Sequence, residues 1–437
     1  MTNLSNKKVL VTGAVCVVKR IVNIRNSKKE KKVEDDIVVK VLMDSIILLK
    51  PKIIHIDNIL PLIFELKKAE IISKPLFVVP TPEAYEVIKD NIVLYEGILA
   101  IDGELVFINK YKNRVLRLIY NLFVLRKYFY KTILTFEVTP YFGRLTFWLI
   151  KINRKIWQGK RVFCGLSAMS FKSNTNFDKH WFRFSSSSKL KNHLKREIKD
   201  FDAALLTYTK KQYEELYNAK FALDCPVFQV GFTRGLDGWL RFLDKNANKY
   251  MPKKNQKPYI FFILSSIGKP FQDDHIFTNR KHFIDCIEVM KEFNQDILTV
   301  FKPHAISEMN EIQDILNSIR YKNYIFSNTH PYYLVKNAKL TLSFTTSSLL
   351  PYSYFWGTPT VEYACYFPQA YNSLQGQSLY HGYIDYYIHN NKDKLKKILK
   401  KIIYDDVQIN RDETELKEKY PPILSSEELK GLFAFIN

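Results

Sequence analysis

The run Phe301-Lys302-Pro303-His304-Ala305 sets a cation and an imidazole two residues apart. Residues 297–301 read as a β-branched strand, and Ser307 is placed to cap the helix that follows. Lys302 and His304 would then stand at the carboxyl end of a parallel strand, where open α/β sheets bind ligands, and the pair suits a phosphate. A helix-capping or turn-packing histidine is the plainer reading of His304. Thr345-Thr346-Ser347-Ser348 sets four hydroxyls between a strand at 339–344 and a helix beginning near Leu349. Hydroxyls and unpaired N–H groups at a helix start cradle an anion, whereas simple N-capping needs one hydroxyl. Pro351 fits a first turn, and Gly357-Thr358-Pro359 leads into a strand bearing Glu362, either a ribose ligand or a surface glutamate. Ser265, Ser266 and Gly268, in a small-residue loop after a strand at 259–264, complete the donor-side candidates.

Two carboxylates are candidates for a general base on an acceptor hydroxyl. Asp102-Gly103 lies in the alternating stretch 99–108, which also reads as a β-hairpin. Glu137 closes the apolar run 133–136 just ahead of Val138-Thr139-Pro140, at the strand end that would face a cleft.

Positioning these groups requires sheets. Apolar runs at 9–18, 53–56, 76–79, 133–136, 162–164 and 203–206 read as short buried strands, with helical stretches such as 61–68 and 189–199 between several of them. That is the βαβ pattern of a doubly wound parallel sheet. Lys7 and Lys8 before 9–18 imitate a signal peptide, but Lys19 and Arg20 follow without a small-residue cleavage site. The run is therefore read as a strand and the protein as cytoplasmic. Residues 28–36 are a solvated charge run, and 113–131 mix apolar, aromatic and basic residues, as a membrane-surface helix or a core helix with basic edges would. Periodicity lapses over 233–258 and then resumes, with helix faces at Phe283, Cys286, Ile287 and Met290 and at Met309, Ile312, Leu316 and Ile319. The fold expected is α/β, two Rossmann-like doubly wound domains facing a cleft. Residues 1–232 form the acceptor domain, 233–258 a linker, 259–405 the nucleotide-sugar domain, and 406–437 a helical segment packing back on the first.

A chain of 437 residues suits two domains, and no stretch approaches the roughly 20 apolar residues of a membrane span. The net charge of +22 favours anionic partners, but no zinc-finger, recognition-helix or RNA-recognition signature is present, so no nucleic-acid partner is inferred. Five widely spaced cysteines read as buried thiols in a reducing compartment. Neither a Gly-x-Gly-x-x-Gly nor a Gly-x-x-x-x-Gly-Lys-Ser/Thr loop occurs, and no Asp-x-Asp, so no cofactor and no metal is expected.

Lys302-Pro303-His304, His330-Pro331, Asn337-Ala338-Lys339, Thr345–Ser348 and Trp356-Gly357-Thr358-Pro359 together resemble bacterial surface-polysaccharide glycosyltransferases of the GT-B fold. They are most similar to those using CMP-activated sialic-acid-like sugars or Kdo, over roughly residues 259–390. The resemblance implies that a His-Pro motif and a Ser/Thr pair hold the CMP phosphate and cytidine. Here His304 precedes Ala305, so His304 or His330 is the counterpart, with His304 favoured for directly following a strand. Asp102-Gly103 resembles the acidic-Gly motif of sialyltransferases, with Ile101 in place of a second acid, and the loop at Glu137 resembles that of Kdo transferases. The implied partners are a nucleotide sugar, a glycan or lipid-linked glycan acceptor, and an inner-leaflet membrane surface. A UDP- or GDP-hexose transferase, a CDP-polyol-phosphate transferase, and a non-catalytic glycan- or nucleotide-binding protein of polysaccharide export are the other readings.

Overall fold

Short runs of Ile, Val, Leu and Phe that stay apolar on both faces pair side by side, as parallel strands covered by helices must. The computed structural model describes residues 43–433 apart from 51–52, 127–132, 139–143, 167–200, 208–224, 251–257, 266, 268–275, 278–279, 305–306, 346, 367–370, 373–374, 379, 381, 406–408, 410 and 412–423. The strand expected at 9–18, the charge run at 28–36 and the helix expected at 189–199 lie outside the described residues.

Strands β1 (Met43–Leu48), β2 (Ile72–Val79), β3 (Glu104–Phe107), β4 (Ile133–Glu137), β5 (Lys160–Gly165), β6 (Ala203–Leu206) and β7 (Val227–Gln229) make the first sheet. Its order is β3-β2-β1-β4-β5-β6-β7, and every pairing is parallel. One face is covered by α1 (Ile53–Lys68), α2 (Pro82–Asp90) and α3 (Ile92–Ala100), through Ile59, Leu60, Ile63, Ile88 and Leu94. The other face carries α4 (Arg114–Leu125) and α5 (Arg144–Trp157), through Leu125 and Ile150.

The second sheet holds β8 (Tyr259–Ile263), β10 (Leu298–Lys302), β11 (Tyr324–Phe326), β12 (Ala338–Ser343), β13 (Thr360–Tyr366) and β14 (Tyr386–His389), in the order β11-β10-β8-β12-β13-β14. These are parallel, while β9 (Ile276–Phe277) runs antiparallel to the end of β13. Around it lie α8 (Arg280–Lys291), α9 (Met309–Ile319), α10 (Pro331–Lys336), α11 (Leu349–Phe355) and α12 (Lys392–Tyr404). Cys286, Ile287 and Met290 of α8, and Ile312 and Leu316 of α9, enter its core as the three-four spacing requires. No described helix is long and apolar enough to cross a membrane.

The structure departs from the sequence reading at several points. Residues 53–56 are the first turn of α1 and not a strand, because the apolar period continues through Ile56, Ile59, Leu60 and Ile63. The strand of that region is β1. The stretch 99–108 is no hairpin: α3 ends at Ala100, Asp102 and Gly103 turn, and β3 pairs parallel to β2. Residues 233–250 are not an irregular linker. They form a 3₁₀ turn (Thr233–Gly235), α6 (Asp237–Lys245) and α7 (Ala247–Tyr250), and Trp239 of α6 is fully buried in the first core. Gly97 admits that indole, since a β-carbon there would meet Trp239 at 2.8 Å. Helix α13 (Ser426–Leu432) carries a capping box at Ser425 and Glu428 and sets Leu429 in the same core.

Between β4 and β5, Arg161 grips both oxygens of Glu137, with its Nη2 donating to Oε2 at 2.9 Å. Neither side chain is more than 2% exposed. Removing one partner of such a pair strands a buried charge, whereas replacing both by apolar groups does not. We expect Arg161→Met to lower stability by about 3–5 kcal/mol in urea titration. Glu137→Leu combined with Arg161→Met should recover most of that loss.

Candidate functional site

Each sheet reverses its strand order once, between β1 and β4 in the first and between β8 and β12 in the second. Crevices for ligands open at the carboxyl ends of the strands flanking such a switch. In the second sheet that edge collects Ser265 after β8, Lys302 and His304 at the end of β10, His330 after β11, and Thr345–Ser348 after β12. In the first sheet, α1 leaves the carboxyl end of β1 and brings Asp57 and Asn58 in its second turn.

Asp57, Arg234 and His330 are buried together where the two halves meet. Arg234 Nη2 lies 2.9 Å from Asp57 Oδ2, and its Nε donates to Asn58 Oδ1 at 3.0 Å. Thr233 donates its hydroxyl to the Asn58 carbonyl at 2.5 Å. Pro61, four residues after Asp57, has no N–H to offer the Asp57 carbonyl, so α1 is least self-sufficient where this connector docks. His330 caps α10: its Nδ1 accepts from the Tyr332 N–H, which leaves the proton on Nε2 to donate to Asp57 Oδ1 at 3.3 Å.

Burial alone would push the Asp57 carboxyl up. Arg234, the hydrogen bond from His330 and the charge of Lys302 outweigh it and hold the pKa below its ordinary value. Lys302 is half-buried, and burial pulls its ammonium down to about 8 despite the opposing pull of Asp57. Its Nζ donates to the Asn328 carbonyl at 3.1 Å. Arg234 pairs with Asp57, and Lys302 adds a further cation beside that pair. A cationic cleft edge of this kind attracts a phosphate.

The remaining sequence candidates divide. His304 is exposed on the turn after Lys302, and its N–H donates to Ser307 Oγ at 3.0 Å. The Ser265 carbonyl accepts from Ser307 at 3.4 Å, which joins the loops after β8 and β10. Thr345 is buried, Ser347 Oγ accepts from the Leu349 N–H at 3.3 Å, and Ser348 makes no side-chain cap. Ser266, Gly268 and Thr346 lie outside the described residues. Glu362 is wholly buried in β13, where Tyr366 donates to Oε1 at 2.7 Å and Ser378 to Oε2. It is not the surface glutamate of the alternative reading.

Neither candidate base is presented to the cleft. Asp102 sits before β3, on the amino-terminal edge of its sheet, with φ of 56° and a 3.2 Å contact to Lys67. Glu137 ends β4 on the correct edge, but Arg161 occupies both its oxygens. Asp57 is a carboxylate buried at the meeting of the two halves, and sequence reasoning passed it over together with Arg234. One signal was available: Asp57-Asn58 interrupts an otherwise apolar helical face between Ile56 and Ile59.

No sequence family and no curated protein matches this chain. Solved structures match its fold. The wall teichoic acid polymerase TagF aligns over 90% of this chain and 88% of its own, with 14% identity and a TM-score of 0.53. Anabaena HepE, solved with UDP and glucose, aligns over 90% and 99%, with 10% identity and a TM-score of 0.51. The fold is the two-domain GT-B type, with two Rossmann-like units facing a cleft.

Burial pushes the Glu362 carboxyl up to about 7, against the hydrogen bonds from Ser378 and Tyr366. The folded state then binds the extra proton between the ordinary value of 4.5 and about 7, so this group lowers stability as pH rises through that window. Glu362→Gln removes the dependence. Relative to the parent, the variant should gain about 3 kcal/mol across the window, read from thermal or urea unfolding at each pH.

Proposed function

We propose that this chain is a glycosyltransferase that moves a sugar from a nucleotide-sugar donor to a hydroxyl of a surface glycan. The cationic excess at the meeting edges of the two sheets carries the reading, because departure of a nucleotide builds negative charge on a phosphate. Lys302 is the group that meets that charge. His304, exposed on the same turn, and the hydroxyls of Ser347 and Ser348 flank the phosphate, while Ser265 steadies the loop beside them. Asp57, Arg234 and His330 act one layer behind. His330 has committed both ring nitrogens to Tyr332 and Asp57, so it positions the edge and His304 faces the donor.

The motif series at 302–304, 330–331 and 345–348 supports a CMP-activated acidic sugar as donor. The fold shared with the UDP- and glucose-bound HepE supports a UDP-hexose as the second reading. Calorimetric titration with CMP, UDP and GDP separates them, and binding of UDP without CMP removes the acidic-sugar reading. Release of free sugar from the bound donor in the absence of acceptor argues against a non-catalytic binder.

Lys302 holds a phosphate only while protonated. Nucleotide affinity should therefore fall as pH rises through about 8, and Lys302→Arg should flatten that profile. Lys302→Ala should weaken binding about tenfold or more at neutral pH. His304→Ala should abolish turnover with unfolding temperature unchanged. Turnover that survives in His304→Ala and fails in a folded His330→Ala variant reverses the two assignments.

A further inference from the structure

Helix α4 is turned the wrong way round for a globular protein. Its buried residues are Asn121 and Leu125, and it is fastened by a reciprocal pair of hydrogen bonds between Asn121 and Asn109 at 2.8 and 3.0 Å. Its outward face carries Val115, Ile119 and Phe123, each more than half exposed. Helix α5 packs on the same face of the sheet and repeats the pattern, with Trp148 64% and Ile156 62% exposed and Ile152 between them. The two helices flank one apolar crevice, lined by Leu125 of α4 and Leu149 and Ile150 of α5 above Ile46 and Leu48 of β1. Their outward stripes thus form one apolar patch where amphipathic helices normally present polar side chains.

Charge says what covers it. From residue 105 to residue 177 the chain contains one acidic residue, Glu137, and that one is buried under Arg161. The same stretch holds Lys110, Lys112, Arg114, Arg117, Lys151 and Lys155 around the patch. Two of these lie over aromatic rings, Lys110 over Tyr111 at 5.6 Å and Lys151 over Phe147 at 4.4 Å, and Arg126 lies over Phe123 at 3.8 Å. A second copy of this face would bring like charges together. Anionic headgroups over an acyl layer complement both the basic fringe and the apolar centre.

We infer that α4 and α5 form a membrane-docking face, which lays the first domain on an anionic lipid surface with Ile119, Phe123, Trp148 and Ile156 entering the headgroup boundary. Co-sedimentation of the full chain with phosphatidylglycerol–phosphatidylcholine vesicles tests it. Binding should be strong, should weaken with added salt, and should drop about tenfold or more on phosphatidylcholine alone. Ile119→Glu with Trp148→Glu should abolish it, and Arg117→Glu should weaken it about tenfold, with unfolding temperature and nucleotide binding unchanged. These side chains are at the surface, so the variants should fold. The inference fails if vesicle binding is absent, if the folded double variant binds as the parent does, or if that variant instead converts a self-associated parent to monomers.

Discussion

A carboxylate taken out of water must be compensated, and Asp57 and its two buried partners come from three separate parts of the chain. It sits on α1 of the first domain, Arg234 comes from the connector, and His330 comes from the second domain. Desolvation makes such a group worth little net stability, but leaving it unpartnered is costly. The cost falls on any arrangement of the two halves other than this one. Packing around it follows the same logic: Tyr333 of α10 bonds the Leu243 carbonyl at 2.9 Å, Tyr332 bonds Asp244 at 2.6 Å, and both rings enter the first core. Arg234 is itself held 4.4 Å from the Tyr352 ring, so the connector is bound to both sides.

Four carboxylates show how environment divides one functional group among different tasks. Glu137 is neutralised by a bidentate arginine and ties two strands. Glu362 is wholly buried with no cation beside it, and burial raises its pKa to about 7 against the two hydroxyls that hold it. Asp102 is exposed in a left-handed turn on the far edge of its sheet. Asp57, held ionised by cations at the cleft, is the one whose charge reaches Lys302.

The basic excess of the chain is likewise arranged in two unlike ways. At the cleft it is a single half-buried ammonium beside a balanced ion cluster, where low dielectric makes one charge count. Around α4 and α5 it is a diffuse fringe in water, where each charge is screened and only the sum over many matters. The first arrangement suits one phosphate at a fixed place, and the second suits a surface.

The sequence by itself determined the architecture and the sheet edge on which Lys302 and Thr345–Ser348 stand. Runs such as 259–263 and 297–301 are predominantly apolar on both faces, and a strand so composed has no stable place except inside a parallel sheet covered by helices. Lys302 and Thr345–Ser348 immediately follow such runs, so strand direction alone assigned them to the ligand-binding edge. Periodicity is a local property and misled where a local pattern was ambiguous, as at 53–56 and 99–108. Only the tertiary structure decided which charges face which. Asp57 and His330 are 273 residues apart, Arg161 reaches Glu137 across a strand pair, and α4 shows its apolar side outward. Each outcome depends on which neighbour is close enough to repay desolvation, a property of the assembled chain and not of any segment of it.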